Sequence, residues 1–139
     1  MSAEACFIDT NLFLRYLTND VPVQADAVEA LLQRAANGKI NLVTTSVVIA
    51  EIVWTLESYY ELEKKEIQEM VFGILNTHGL AVMESDLVLQ AIVRYVDKNV
   101  DYIDAFNAAW MVKNNVEKIY TFDQKHFHRF EKIVIETPK

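Results

Sequence analysis

The sequence predicts an α/β protein, a three-layer α/β/α sandwich with a central parallel sheet of about five strands. Short apolar segments of strand length alternate with longer segments of helical periodicity, which favours parallel strands joined by right-handed crossovers. Only 3 glycines and 2 prolines are present, too few for a turn-rich all-β fold. With 139 residues and 52% hydrophobic content, the chain can bury a sizeable core, so we expect residues 1–139 to form a single domain.

The predicted elements follow one another without a linker or an internal repeat. Pro22 suits the first position of a helix, and Gly38 lies where a glycine commonly ends one. The other helices are predicted around Glu51, over residues 63–77, from Ser85 or Asp86, and from about Tyr102 to Asn114, with a short helical turn before the last strand. The strands are predicted at residues 5–9, 40–44, 80–83, 118–122 and 132–136.

The segment TTSVVIAEIVWTLESYY, residues 44–60, contains a single carboxylate, Glu51, within an otherwise apolar stretch. At 100° per residue an apolar stripe covers one side of this helix, but the residues one turn from Glu51 are largely apolar as well. We therefore expect the helix to be covered on both sides, by its own sheet and by a second copy of the chain or a partner. A charge buried there needs compensation, because desolvation costs on the order of several kcal/mol.

Two predicted strands end in an aspartate, Asp9 and Asp123. Ligands of open parallel sheets bind beyond the carboxyl ends of the strands, so side chains at these positions point into a site. Either aspartate could instead be an ordinary turn or N-cap residue. The polar pair Thr10 and Asn11, which follows Asp9, could cap the next helix and bind the Asp9 carboxylate.

The segment DYIDAFNAAWMVKNN adds a third acidic candidate, Asp104. In a helix it shares a face with Asn107 and Ala108, and small alanines there allow a close approach to the sheet. Asp104 also lies in the first turn, where a negative charge suits the helix dipole. Asp101, three residues earlier, is interpreted as the N-cap, and a supporting role in the site is left open.

Four carboxylates thus lie in otherwise apolar strands and helices whose ends can converge at one edge of the sheet. They are Asp9, Glu51, Asp104 and Asp123. Oxygen ligands select a hard cation such as Mg²⁺ or Mn²⁺, which can activate water and stabilise a leaving oxygen in phosphodiester hydrolysis. A bound cation would also compensate the charge of Glu51. The alternative is that the four acids are independent helix caps and turn residues.

The ordered motifs FIDTN, TSVVIAE, DAFNAAWM and YTFD resemble the pattern of PIN domains, and more narrowly that of VapC-type toxins of prokaryotic toxin–antitoxin modules. The resemblance spans essentially the whole chain and implies a Mg²⁺- or Mn²⁺-dependent endoribonuclease. It implies a cognate antitoxin and a homodimer as partners, RNA as substrate, and two sets of site residues. Asp9, Glu51, Asp104 and Asp123 match the acids that hold metal, and Asn11, Ser46 and Thr121 match polar positions that line the site.

The resemblance leaves the role of Asp101 open, because that position is less regular in the family's pattern. It also leaves two alternative functions open. One is a housekeeping PIN nuclease that acts in RNA processing or on DNA. The other is a catalytically silent PIN fold that only binds a partner.

The basic segment QKHFHRFEK follows Asp123 directly. Its Lys125 and Arg129 could contact RNA phosphates, since basic side chains position nucleic acid without reading its sequence. A solvated helical turn is the alternative. His126 and His128 could suggest a metal site, but two histidines without a nearby third ligand are weak evidence.

Composition also bears on the cellular setting. A single cysteine, Cys6, excludes an internal disulfide and fits a reducing cytoplasm, and its ordinary interpretation is a small hydrophobic strand residue. No apolar stretch is long enough to span a membrane, and the amino terminus lacks the basic region of a signal peptide. We therefore expect a cytoplasmic protein without a membrane partner. The net charge of -7 opposes non-specific nucleic-acid binding, an objection that weakens if several carboxylates share a metal.

Overall fold

The computed structural model describes residues 4–139 and confirms the α/β class, with strand pairs that are all parallel. The chain forms two compact units, one ending at Ser85 and the other running from Asp86 to Lys139. The five described strands match the five predicted ones. They pair as one three-stranded sheet and one two-stranded sheet.

The first unit contains a parallel sheet in the order β1-β2-β3 together with four helices. Register pairs Cys6 with Leu42 and Val43 with Ala81. In chain order the elements are β1 (Ala5–Phe7), α1 (Thr10–Thr18), α2 (Pro22–Ala36), β2 (Asn41–Thr44), α3 (Ser46–Ser58), α4 (Lys64–Leu75) and β3 (Leu80–Val82).

The second unit contains two helices, a 3₁₀ turn and a two-stranded parallel sheet. Tyr95 and Tyr102 are both buried, and their rings meet edge to face with centroids 6.1 Å apart. The elements are α5, which begins at Ser85 (Ser85–Asp97), α6 (Tyr102–Lys113), β4 (Lys118–Tyr120), the 3₁₀ turn Phe127–Arg129 and β5 (Val134–Glu136).

Several strands end earlier than the sequence suggests. β1 ends at Phe7 and β4 at Tyr120, so Asp9 and Asp123 lie in the connections just after the strands. Helix α1 starts immediately after Asp9, and the sequence had indicated a helix there without its bounds. Both aspartates remain on the carboxyl side of their strands, where the strand-end argument requires them.

Helix α3 packs through the apolar stripe that the sequence predicts. Ile49, Ile52 and Leu56 are completely buried. On the opposite side, the side chains of Val47 and Trp54 are 76% and 67% exposed, and Glu51 is exposed as well. The apolar stripe therefore packs α3 on its own unit, as predicted, while the opposite side is exposed in the described chain. Coverage of that side by a second copy or a partner stays a prediction.

Two glycines occupy left-handed backbone that their positions require. Gly38 follows the C-cap residue Asn37 with φ +74° and donates to the carbonyl of Ala35, which confirms its predicted role at the end of α2. Gly79 precedes β3 with φ +85°, and a Cβ built there would lie 2.3 Å from the carbonyl oxygen of Ala35. Only glycine fits at this second position.

Between residues 4 and 139, every helix is either too short or too polar to cross a bilayer.

Candidate active site

In the first unit, Thr10 joins two of the predicted acids. Asp9 is the N-cap of α1, and its carboxylate accepts a hydrogen bond of 2.7 Å from the backbone N–H of Thr10. The hydroxyl of Thr10 donates to the carboxylate of Glu51. Thr10 is buried, whereas Asp9 and Glu51 are exposed. The expectation that Thr10 or Asn11 caps this helix is wrong, because Asp9 itself is the N-cap and accepts from the backbone N–H of Thr10. The capping carboxylate of Asp9 remains exposed.

The ends of β1 and β2 hold this pair in place. The backbone N–H of Ile8 donates to the carbonyl of Val43 at 2.9 Å, and the buried hydroxyl of Thr44 donates to the carbonyl of Ile8, also at 2.9 Å. Ile8 itself is 1% exposed. Because the residue before Asp9 is bonded on both its N–H and its C=O, the starting point of α1 is well determined.

A further acid, Glu84, lies in the same unit and was missed by sequence reasoning. The buried hydroxyl of Ser46 donates to its carboxylate at 2.5 Å. Glu84 lies two residues after the end of β3 and has a left-handed backbone with φ 59°, which is uncommon for a side chain of this type. The signal was available, since Glu84 follows a predicted strand much as Asp9 follows the first.

Asn11, a predicted polar residue of the site, lies in the first turn of α1. It is exposed and lines a groove of about 420 Å³ between α1 and α2. Arg15 and Leu31 line the same groove. A direct role of Asn11 beside the carboxylates stays a prediction.

The second unit brings together Asp104, Asp123 and His126. Each offers one ligand atom, and the three atoms all lie within 4.8 Å of one another. The closest contact joins Nδ1 of His126 to Oδ2 of Asp104 at 3.0 Å. Asp104 and His126 are half-buried and Asp123 is exposed, so the cluster is open to solvent on one side.

Local capping and turn contacts position the two aspartates. Asp101 is the N-cap of α6 and accepts a 3.4 Å hydrogen bond from the N–H of Asp104, which confirms its interpretation as a cap. The hydroxyl of Thr121 accepts from the N–H of Asp123 at 3.0 Å, and a carboxylate oxygen of Asp123 accepts from the N–H of Lys125 at 3.3 Å. Thr121 therefore supports the turn that presents Asp123.

Without a cation, the carboxylates at this cluster repel one another. Burial raises the pKa of Asp104 above its ordinary value, and the nearby charges of Asp101 and Asp123 raise it further. The hydrogen bond and charge of His126 act in the opposite direction, to lower this pKa. A bound cation would relieve the repulsion between the carboxylates.

The donor set of the cluster fits a divalent cation. The carboxylates of Asp104 and Asp123 supply the hard oxygen ligands that Mg²⁺ and Mn²⁺ prefer. His126 adds an imidazole nitrogen, which sequence reasoning had set aside for want of a nearby third ligand. The missing partners are Asp104, which lies on α6 far earlier in the chain, and Asp123.

Lys125 and Arg129, the two predicted RNA contacts, have different surroundings. The guanidinium of Arg129 donates to the backbone carbonyls of Lys98 and Asn99, at 3.1 Å to Lys98, just beyond the end of α5. Arg129 thus binds carbonyls that lack a helical partner. Lys125 is exposed. Contact of either side chain with RNA stays a prediction.

The described units are parallel α/β, and acids follow the carboxyl ends of their strands. The chain is therefore an α/β protein with a candidate acidic metal site, and comparison with known families identifies its family. The family model described as PIN domain matches residues 6–133. The chain belongs to the PIN domain family, as its four motifs had indicated.

Within that family the chain is similar to a VapC ribonuclease of Aquifex aeolicus. The two are 24% identical over 130 residues, covering 94% of this chain and 93% of the relative. Among solved structures, it aligns with VapBC2 from Rickettsia felis bound to a promoter DNA fragment, with 14% identity and a TM-score of 0.39 over 98% of this chain and 99% of that one.

Proposed function

We propose that the chain is a metal-dependent endoribonuclease that hydrolyses RNA phosphodiester bonds and acts as the toxin of a type II toxin–antitoxin pair. The observation that carries the proposal is the cluster of Asp104, Asp123 and His126 in a chain of the PIN family. Similarity to a VapC ribonuclease supports RNA as the substrate. Asp9 and Glu51 contribute to the same activity.

Mg²⁺ or Mn²⁺ held by the carboxylates of Asp104 and Asp123 would supply an activated water and neutralise charge on the phosphate. The chain positions the ligands: Thr10 holds Asp9 and Glu51, and Thr121 supports Asp123. No side-chain nucleophile is assigned.

The partners follow from the same assignment. We propose an antitoxin that restrains the nuclease and a homodimer of the chain, both in the cytoplasm, with residues 1–139 as a single PIN domain. The exposed side of α3 supports a protein interface, since Val47, Trp54 and Tyr59 are 76%, 67% and 75% exposed. Large apolar side chains left uncovered in this way are typical of association surfaces.

Cleavage of a circular single-stranded RNA tests the proposal. With Mg²⁺ or Mn²⁺ the purified chain should open the circle, which demonstrates an endonuclease, and EDTA should abolish the reaction because the acids alone supply no Lewis acid. A circular single-stranded DNA of the same sequence is the control. Undiminished cleavage in EDTA contradicts the metal mechanism, cleavage of the DNA alone favours a DNA-acting enzyme, and no cleavage with either cation favours a silent binding module.

Replacement of Glu51 by Gln tests whether this acid is functional or structural. We expect cleavage to fall about ten- to a hundredfold, as for loss of a metal-site group. Metal-free stability should not decrease, because the amide oxygen can still accept from Thr10. Cleavage rates and melting curves in EDTA and in Mg²⁺ measure both effects.

The matched control for this substitution is Glu69→Gln, at an exposed position on α4. It should leave the cleavage rate and the stabilisation by Mg²⁺ unchanged. If Glu51→Gln melts well below wild type in EDTA, then Glu51 has a structural role.

A further inference from the structure

We propose that His126 is a nitrogen ligand of the metal centre and shifts its preference from Mg²⁺ toward Mn²⁺. The inference rests on the proposed function, because it concerns the cation that the function requires. Carboxylates alone give an oxygen-only site, whereas imidazole nitrogen suits transition metals better than Mg²⁺. One histidine would therefore change which cation this nuclease uses.

The contact between His126 and Asp104 has the spacing of a chelating pair. Nδ1 and Oδ2 lie 3.0 Å apart. Two adjacent ligands of an octahedral ion with bonds of about 2.1 Å are separated by about 3.0 Å. The third ligand atom, from Asp123, lies within 4.8 Å of both, so the three groups together could hold one cation.

Without a cation, this contact requires a hydrogen between the two atoms. Nδ1 of a neutral imidazole either donates or accepts, and a carboxylate only accepts. The N–H of Asp101 also points to Nδ1, at 3.4 Å. If Nδ1 accepts from Asp101, then it has no hydrogen for Asp104. A cation would take the lone pair of Nδ1 and one lone pair of the Asp104 carboxylate, so both groups would act as lone-pair donors to it in place of the long 3.4 Å contact with Asp101.

The residues that follow His126 hold its backbone in place. Phe127 begins the 3₁₀ turn, is 4% exposed and contacts the ring of Phe130. Arg129 is anchored on the carbonyls beyond the end of α5. His126 thus starts an anchored turn and is half-buried, whereas His128 within the same turn is exposed. Preorganisation of this kind reduces the cost of ordering a metal ligand.

A different role for His126 predicts different measurements. If the imidazole only donates to Asp104 and orients it, then His126 is a positioning residue. Its loss would weaken Mg²⁺ and Mn²⁺ binding alike and would leave no nitrogen signal on the metal. A direct ligand affects Mn²⁺ more than Mg²⁺ and couples its nitrogen to the unpaired electrons of Mn²⁺.

Pulsed electron paramagnetic resonance of one equivalent of Mn²⁺ on the full chain tests the proposal. The chain has 3 histidines, so protein labelled with ¹⁵N-histidine identifies the ligand nitrogen by its changed coupling frequency. We expect a histidine nitrogen coupling in the wild type and in His128→Ala, and none in His126→Ala. Calorimetry should show the Mn²⁺ Kd rising about tenfold or more in His126→Ala. The Mg²⁺ Kd should change less than about threefold.

His126→Asn provides a second variant if the alanine variant does not fold. The asparagine amide can still hydrogen-bond to Asp104, but the imidazole is gone. This variant should therefore also lose the histidine nitrogen coupling. The assignment of His126 is overturned if the coupling persists in either variant, or if the affinities for Mn²⁺ and Mg²⁺ fall equally. Either result leaves the nuclease proposal standing. A wild-type chain that neither binds Mn²⁺ nor cleaves RNA overturns the proposed function and this inference with it.

Discussion

Replacement of Asp104 by Asn should lower the rate of RNA cleavage at saturating Mg²⁺ by about a thousandfold, or roughly 4 kcal/mol of transition-state stabilisation. Asparagine keeps the shape of the side chain and its contact with His126, but it removes the negative charge that binds the cation. Initial rates on a short labelled RNA, measured over a range of Mg²⁺ concentrations, separate weaker cation binding from slower chemistry.

The same substitution should not destabilise the metal-free protein. The pKa of Asp104 in the folded state lies above its ordinary value of 3.8, mainly because of burial. The folded state therefore binds protons more tightly than the unfolded state, and metal-free stability falls as pH rises from about 3.8 through the folded-state pKa. The Asp104→Asn variant has no carboxyl group at this position and so avoids this loss. We expect a gain below about 1 kcal/mol near neutral pH, because solvent screens a half-buried carboxylate.

Asp97→Asn is the matched control, since Asp97 is an exposed acid at the end of α5 in the same unit. It changes the net charge equally and should leave cleavage within about twofold of wild type. Equal activity of Asp104→Asn and wild type would remove Asp104 from the site. A clear loss of metal-free stability in Asp104→Asn would show that the attraction between the Asp104 charge and His126 outweighs the costs of burial and charge repulsion.

The largest effect on stability is expected for Gly79→Ala. An added Cβ would lie 2.3 Å from the carbonyl oxygen of Ala35 and 2.5 Å from its carbonyl carbon, and both are backbone atoms that cannot rotate away. The positive φ of Gly79 adds a cost of about 1 kcal/mol for any other residue. We expect a total loss of about 3 kcal/mol or more in the free energy of unfolding, measured by urea denaturation.

Gly38→Ala separates the cost of the steric clash from the cost of the positive φ. Gly38 also has a positive φ, +74°, but no atom lies within 4 Å of an added Cβ. The loss there should be only about 1 kcal/mol, from backbone conformation alone. If the two variants are equally destabilised, then the approach of the Gly79 backbone to the end of α2 is looser than the structure indicates.

Much of the candidate site could be predicted because its parts are local in sequence. Asp9 and Asp123 were found from the rule that ligands bind beyond the carboxyl ends of parallel strands. Asp101 was assigned as a cap from its spacing to Asp104, and helix-capping contacts extend over only three or four residues. Glu84 obeys the same strand-end rule, because it directly follows the strand predicted at residues 80–83, so the signal for this acid is also local in sequence.

The sequence by itself determined the alternation of strands and helices, the apolar stripe of α3, the glycine that ends α2 and the PIN family motifs. These features depend on the periodicity of side chains along an element and on backbone preferences of single residues. The tertiary structure alone decided that Thr10 hydrogen-bonds to Glu51 and that His126 lies 3.0 Å from Asp104. It also decided that one side of α3 stays exposed. Each of these depends on how distant segments pack together, and the periodicity of one segment contains no information about its partner's position.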